Sequence, residues 1–128
     1  NSGENVTALT CHDEYLLTSM VQGVDGALVG FASFIPELIT ALYAAVCDGD
    51  LKEAQRIQSQ INGLKEVVYA SGEPTGDAHA RMKTAMHHAG RFKSTTVRPP
   101  TRKPSGDALQ RIKDAVDASG LIQSQAAE

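Results

Sequence analysis

The chain has 128 residues and a mass of 13.6 kDa, the size of one ordinary domain with one core. It is 41% hydrophobic and 21% charged, with a formal net charge of −3 and a mean hydropathy of −0.22, which excludes the regime of intrinsic disorder. Its mild acidity, with a pI near 5.8, removes the basic face expected of a nucleic-acid binder. No apolar run approaches the ~20 residues of a membrane span, and no charged segment followed by an apolar stretch marks a secretory signal. Two cysteines, Cys11 and Cys47, are too few for a disulfide scaffold and fit no metal-ligand spacing, so the composition points to a reducing, cytoplasmic setting. The sequon Asn5-Val6-Thr7 is then accidental.

In chain order, Val6-Thr7-Ala8-Leu9-Thr10 is short, β-branched and apolar, and reads as a buried strand. Residues 14–22 follow with acidic residues in their first turn and Gly23 as a stop, which predicts a helix of two or three turns. Ala27-Leu28-Val29-Gly30-Phe31 is a second apolar run. Both runs are continuous rather than alternating, the pattern of strands covered on both faces. Strand, helix and strand at this spacing make a right-handed βαβ unit with a parallel pair.

The remainder reads as helix. Pro36 suits a first helical position, and Leu38, Ile39, Leu42, Ala45 and Val46 form a stripe that runs to Gly49. Asp50 reads as an N-cap with Glu53 three residues on, a carboxylate capping box. Ala54, Ile57, Ile61, Leu64 and Val68 make one apolar seam on a helix ending near Gly72, with Lys52, Glu53, Arg56, Lys65 and Glu66 on the outer side. Gly63 inside that helix requires either a close neighbour or a bend. Residues 73–76 form a loop, Asp77 caps a helix carrying Ala78, Met82, Ala85, Met86 and Ala89, and Gly90 closes it. Residues 91–103 are extended, because Pro99 and Pro100 exclude helix. Ser105 starts a last helix with Leu109, Ile112, Ala115 and Val116 inward, Gly120-Leu121 stops it, and residues 123–128 fray. Two strands cannot make a sheet that hides both of its own faces, so the chain reads like a piece of a larger α/β fold.

Six stretches carry a resemblance. Leu9-Thr10-Cys11-His12-Asp13-Glu14, residues 23–30 and Pro36-Glu37-Leu38 resemble the seventh strand, the eighth strand and the start of the eighth helix of the dihydrodipicolinate synthase / N-acetylneuraminate lyase family. Gly49-Asp50-Leu51-Lys52-Glu53-Ala54, Lys83 with Ala85-Met86, and Val97-Arg98-Pro99-Pro100 resemble later segments of the same family. The resemblance implies the C-terminal part of a (β/α)8 TIM barrel: residues 1–48 as the last two strands with their helices, and residues 49–128 as a C-terminal helical extension. It implies a lyase that forms a Schiff base between a lysine and pyruvate or another 2-keto acid, with no metal and no bound cofactor. That lysine, the proton-moving tyrosine and the hydroxyls that hold the carboxylate belong to earlier strands, in a missing N-terminal barrel half. It also implies a homo-oligomer.

In a parallel barrel the site lies at the carboxyl ends of the strands. The resemblance places Thr10 where relatives have a serine and Cys11 where they have glycine, and it matches Leu28, Val29 and Gly30 to the strand that approaches the keto acid. These five are the candidate substrate-binding residues. Cys11 also reads as a small buried filler, and Gly30 as a site of tight packing rather than ligand approach. His12-Asp13-Glu14 point in different directions and cannot converge on one ion, which leaves Asp13 as a helix cap. His87 and His88 do not share a helix face and read as solvated. The basic residues Arg91, Lys93, Arg98, Arg102 and Lys103 lack interleaved aromatics and read as a solvated loop. Lys52, Lys65, Lys83, Lys93, Lys103 and Lys113 all fall on helices or loops, without the desolvated pocket a Schiff-base lysine needs, so the chain alone is expected to be inactive. A second reading, from a different class, is a non-catalytic helical interaction module with the seam at residues 54–68 as its dimer surface.

Overall fold

Two strands, each only two residues long, pair in parallel: β1 (Leu9–Thr10) and β2 (Gly26–Ala27), with Leu9 opposite Gly26 and Thr10 opposite Ala27. This is a computed structural model, and it describes residues 6–70 and 76–121. Residues 1–5, 71–75 and 122–128 lie outside the described part, and with them the sequon's asparagine, most of the expected loop and the expected frayed tail. The parallel pair and its helical crossover are present as the sequence implies. The strands are shorter than the apolar runs, and Gly30 and Phe31, read as strand, open a 3-10 turn at Gly30–Ser33. That turn exists because Phe31 is drawn into the core, edge-on to Phe34 with ring centroids 5.6 Å apart.

The chain forms two compact units, Asn1–Asn62 and Gly63–Glu128. In the first, a 3-10 turn (Asp13–Tyr15) leads into α1 (Leu16–Val21), and α2 (Pro36–Cys47) begins with the expected proline. Leu16, Met20, Phe31, Phe34, Ile35, Ile39 and Leu42 are buried. α3 (Leu51–Val68) begins in the first unit and ends in the second, and α4 (Gly76–His88) and α5 (Gly106–Ala118) lie within the second. All five seam residues, Ala54, Ile57, Ile61, Leu64 and Val68, are buried within the single chain. A dimer surface must be free to meet a partner, so the seam cannot serve as one.

Helix ends follow the glycines closely. Gly23, Gly49 and Gly90 adopt positive φ, and each helix closes with the paired 5→2 and 6→1 bonds of a Schellman motif. After α2, for example, Gly49 N–H donates to the Val46 carbonyl at 3.1 Å and Asp50 N–H to the Ala45 carbonyl at 2.9 Å. That second bond corrects the capping box. Asp50 Oδ1 accepts from Glu53 N–H at 3.0 Å as expected, but Asp50 N–H is already used, so the Glu53 carboxylate turns instead to Arg56.

Three further expectations change. α3 ends at Val68 rather than near Gly72, and Ala70 takes the left-handed conformation (φ 57°) that glycine takes elsewhere. Gly63 has no atom within 4 Å of where a Cβ would lie, so no close neighbour explains it. Asp77 lies inside the first turn of α4, because Gly76 already begins the helix.

Candidate functional site

The carboxyl ends of β1 and β2 lie side by side, and the pairing continues past them: Leu28 N–H donates to the Thr10 carbonyl at 2.8 Å. Successive strand residues point to opposite faces, and paired residues share a face. One face is covered. On it, Thr10 Oγ1 donates to Ser19 Oγ of α1 at 3.1 Å, and Val29 is buried. The opposite face is open, with Leu9 52% and Leu28 73% exposed, and Cys11 exposed beside them. Gly26 makes room for this arrangement, since a Cβ there would come within 3.1 Å of Leu9 Cδ2.

The five candidate residues therefore gather at one end of the strand pair but divide between its faces. Cys11 and Leu28 stand on the open face, and Gly30 is exposed at the start of the following turn. Thr10 and Val29 turn toward the helices. Cys11 is no buried filler; an exposed thiol at a strand end replaces that reading. His12, not Asp13, occupies the position preceding the 3-10 turn, and it makes no side-chain cap bond. Its ring meets Tyr15 edge-on at 5.9 Å. No group of three or more His, Cys, Asp or Glu suited to a metal ion occurs among the described residues.

Two polar residues of α3 are buried. Gln58 on α3 is only 7% exposed, and its Oε1 accepts from Leu17 N–H at 3.0 Å. Its Nε2 donates to Asn62 Oδ1 at 2.9 Å and reaches the Asp13 carbonyl at 3.4 Å. Lys65 is 8% exposed, with Nζ over the Tyr69 ring at 5.6 Å, which corrects its placement on the outer side of α3. The signal was present: positions 58 and 65 lie four residues after Ala54 and Ile61, widening the apolar stripe.

Other polar groups are structural. His88 Nε2 and Asp117 Oδ1 lie 2.7 Å apart, so His88 links α4 to α5 rather than being simply solvated. Lys83 Nζ donates to the Thr96 carbonyl at 2.7 Å, tying the extended segment to α4. Hydrogen bonding to the Cys47 thiol holds the Tyr43 hydroxyl above the usual phenol range. Tyr43 lines a cavity of about 210 Å³ with Met20, Asp25, Gly26, Ala27, Ile39 and Thr40. This cavity adjoins the amino end of β2, the wrong end for a parallel-barrel site.

A model of the dihydrodipicolinate synthetase family matches residues 1–119. The chain belongs to this family. It is similar to a probable 2-dehydro-3-deoxy-D-pentonate aldolase of Escherichia coli, 36% identical over 63 residues, covering 49% of this chain and 21% of that protein. It is also similar to the 4-hydroxy-tetrahydrodipicolinate synthase of Maridesulfovibrio salexigens, 27% identical over 92 residues, covering 72% of this chain and 30% of that one. Among solved structures, the dihydrodipicolinate synthase of Bacteroides thetaiotaomicron superposes with a TM-score of 0.74 at 25% identity, over 86% of this chain and 37% of the other. KD(P)GA from T. tenax shares the fold at 19% identity, with a TM-score of 0.74 over 89% and 38% of the two chains. The chain thus spans well under half the length of each of these proteins. Its architecture is that of the C-terminal portion of a TIM barrel, two parallel strands and mostly helix beyond them. No helix among the described residues is long and apolar enough to cross a membrane.

Proposed function

We propose that this chain is the C-terminal part of a lyase that acts on pyruvate or another 2-keto acid through a Schiff base, and that it supplies no catalytic lysine itself. Residues 1–48 contribute the last two barrel strands, and residues 49–128 form the helical extension. The observation that carries the reading is the open face of the strand pair. Leu9 and Leu28 are apolar, on one face and uncovered, as strands are when the rest of a parallel barrel is needed to bury them. Cys11, Leu28 and Gly30 then line the mouth where the keto acid enters, while Thr10 and Val29 fix the strand ends from the helix side. The protein works in the cytoplasm as a homo-oligomer, without metal or bound cofactor.

The chemistry needs an amine that is neutral near physiological pH, which requires desolvation. Among this chain's lysines only Lys65 is buried, and it lies on α3, away from any strand end. The test is reductive trapping. A lysine amine condenses with the keto carbonyl and releases water; borohydride then delivers hydride to the C=N bond and leaves a stable secondary amine. With pyruvate, the full-length protein gains this adduct on a lysine outside these 128 residues, and the isolated chain gains none. A full-length protein that takes up no pyruvate, or an adduct on one of this chain's own lysines, overturns the proposal.

A further inference from the structure

We infer that Gln58 is a positioning residue for the proposed substrate mouth, an inference that rests on the function proposed above. The turn after β1 displays Cys11 and His12 and then becomes the 3-10 turn and α1. Helix starts leave backbone N–H groups without intrahelical partners, and a side chain just before the helix normally accepts one of them. Here neither His12 nor Tyr15 makes a side-chain cap bond. The acceptor comes from 41 residues away: Gln58 Oε1 takes the Leu17 N–H at 3.0 Å.

The other end of the same amide faces the start of the turn. Gln58 Nε2 reaches the Asp13 carbonyl at 3.4 Å and is oriented by Asn62 Oδ1 at 2.9 Å. One planar group therefore engages the backbone at Asp13 and at Leu17, on both sides of the junction where the 3-10 turn becomes α1. Leu16 between them is fully buried, so the junction is held from two directions. Gln58 is itself buried, and an amide placed there without partners is costly, so its bonds are part of what this turn requires. By holding Asp13 and Leu17, Gln58 sets where the strand end, with its exposed Cys11 and His12, stands.

Gln58→Met in the full-length protein keeps the side chain's bulk and removes the amide's bonds to Leu17, Asp13 and Asn62. Its kcat/KM for the 2-keto acid is expected to fall about tenfold, because small displacements of positioning groups are amplified in rate. Leu17 amide exchange should accelerate in parallel. Ile57→Val, one residue earlier on α3, lowers stability while leaving the Gln58 amide in place, and its kcat/KM should stay within about twofold of wild type. Asn62→Ala removes only the orienting partner and should lower kcat/KM about threefold, which keeps the test available if Gln58→Met does not fold. An unchanged kcat/KM in Gln58→Met, or losses in all three variants that simply track their melting temperatures, would overturn the inference and leave the proposed function standing. A wild-type protein inactive on every 2-keto acid removes both.

Discussion

The seam of α3 and the paired strands both carry apolar side chains, and these meet opposite fates. Every seam residue from Ala54 to Val68 is buried by the chain itself, whereas Leu9 and Leu28 stand open. An amphipathic helix asks for one covered stripe, which neighbouring helices supply locally. A parallel strand asks for cover on two faces and neighbours on both edges, which only a full sheet supplies. On the proposed reading, the difference separates the part of the sequence that is self-sufficient from the part written for a larger barrel.

The sharpest way to break this comparison is to truncate one leucine in each setting. Leu64→Ala removes a buried seam side chain and should destabilise the isolated chain by about 2–5 kcal/mol in denaturant unfolding. Leu28→Ala in the same chain should cost less than about 0.5 kcal/mol, because the side chain is already in water. In the full-length protein the second substitution should become costly, by about 2 kcal/mol or more. Equal small effects of Leu28→Ala in both settings would mean that nothing covers this face.

Helix ends offer a smaller contrast. Gly23, Gly49 and Gly90 close their helices in the left-handed region without strain, whereas Ala70 takes that conformation with a Cβ. Ala70→Gly should therefore stabilise the chain by about 1 kcal/mol. Gly63→Ala should add about 0.5–1 kcal/mol, because a Cβ there meets open space within a helix. Thermal melts check both, and a loss of stability in either would show that the backbone or its surroundings differ from this description.

The smallest effect concerns pH. Hydrogen bonding to Arg56 holds the Glu53 carboxyl below its usual range, and Glu53 in turn raises Arg56. A carboxyl with a depressed folded pKa stabilises the fold above its unfolded pKa, and that contribution is lost as pH falls through the folded value. The pair is exposed, so the effect is slight and screened by salt. Arg56→Ala should flatten the acid limb of the stability curve at low salt and change little at high salt.

The same contrast explains what could be read in the sequence. The crossover unit, the buried seam and the helix stops were legible because their signals are local: turn glycines, an N1 proline at Pro36 and helical spacing. The strand lengths were not, because Val6 and Leu28 encode burial that this chain does not complete. Lys65 reads as outward from its residue type and Gln58 draws no reading at all, although the positions of both beside the seam mark them as inward. At the candidate site the grouping of Cys11, Leu28 and Gly30 was legible. The turning of Thr10 toward Ser19 became clear only from the strand register and the hydroxyl contact.

One labelling experiment bears most directly on the claim that the strand face awaits cover. Leu9→Cys, in a background where Cys11 and Cys47 are serine, places a single thiol on that face. Maleimide should modify it rapidly in the isolated chain and slowly in the native full-length protein, with unfolding restoring the fast rate. Rapid modification in both native forms would contradict the account.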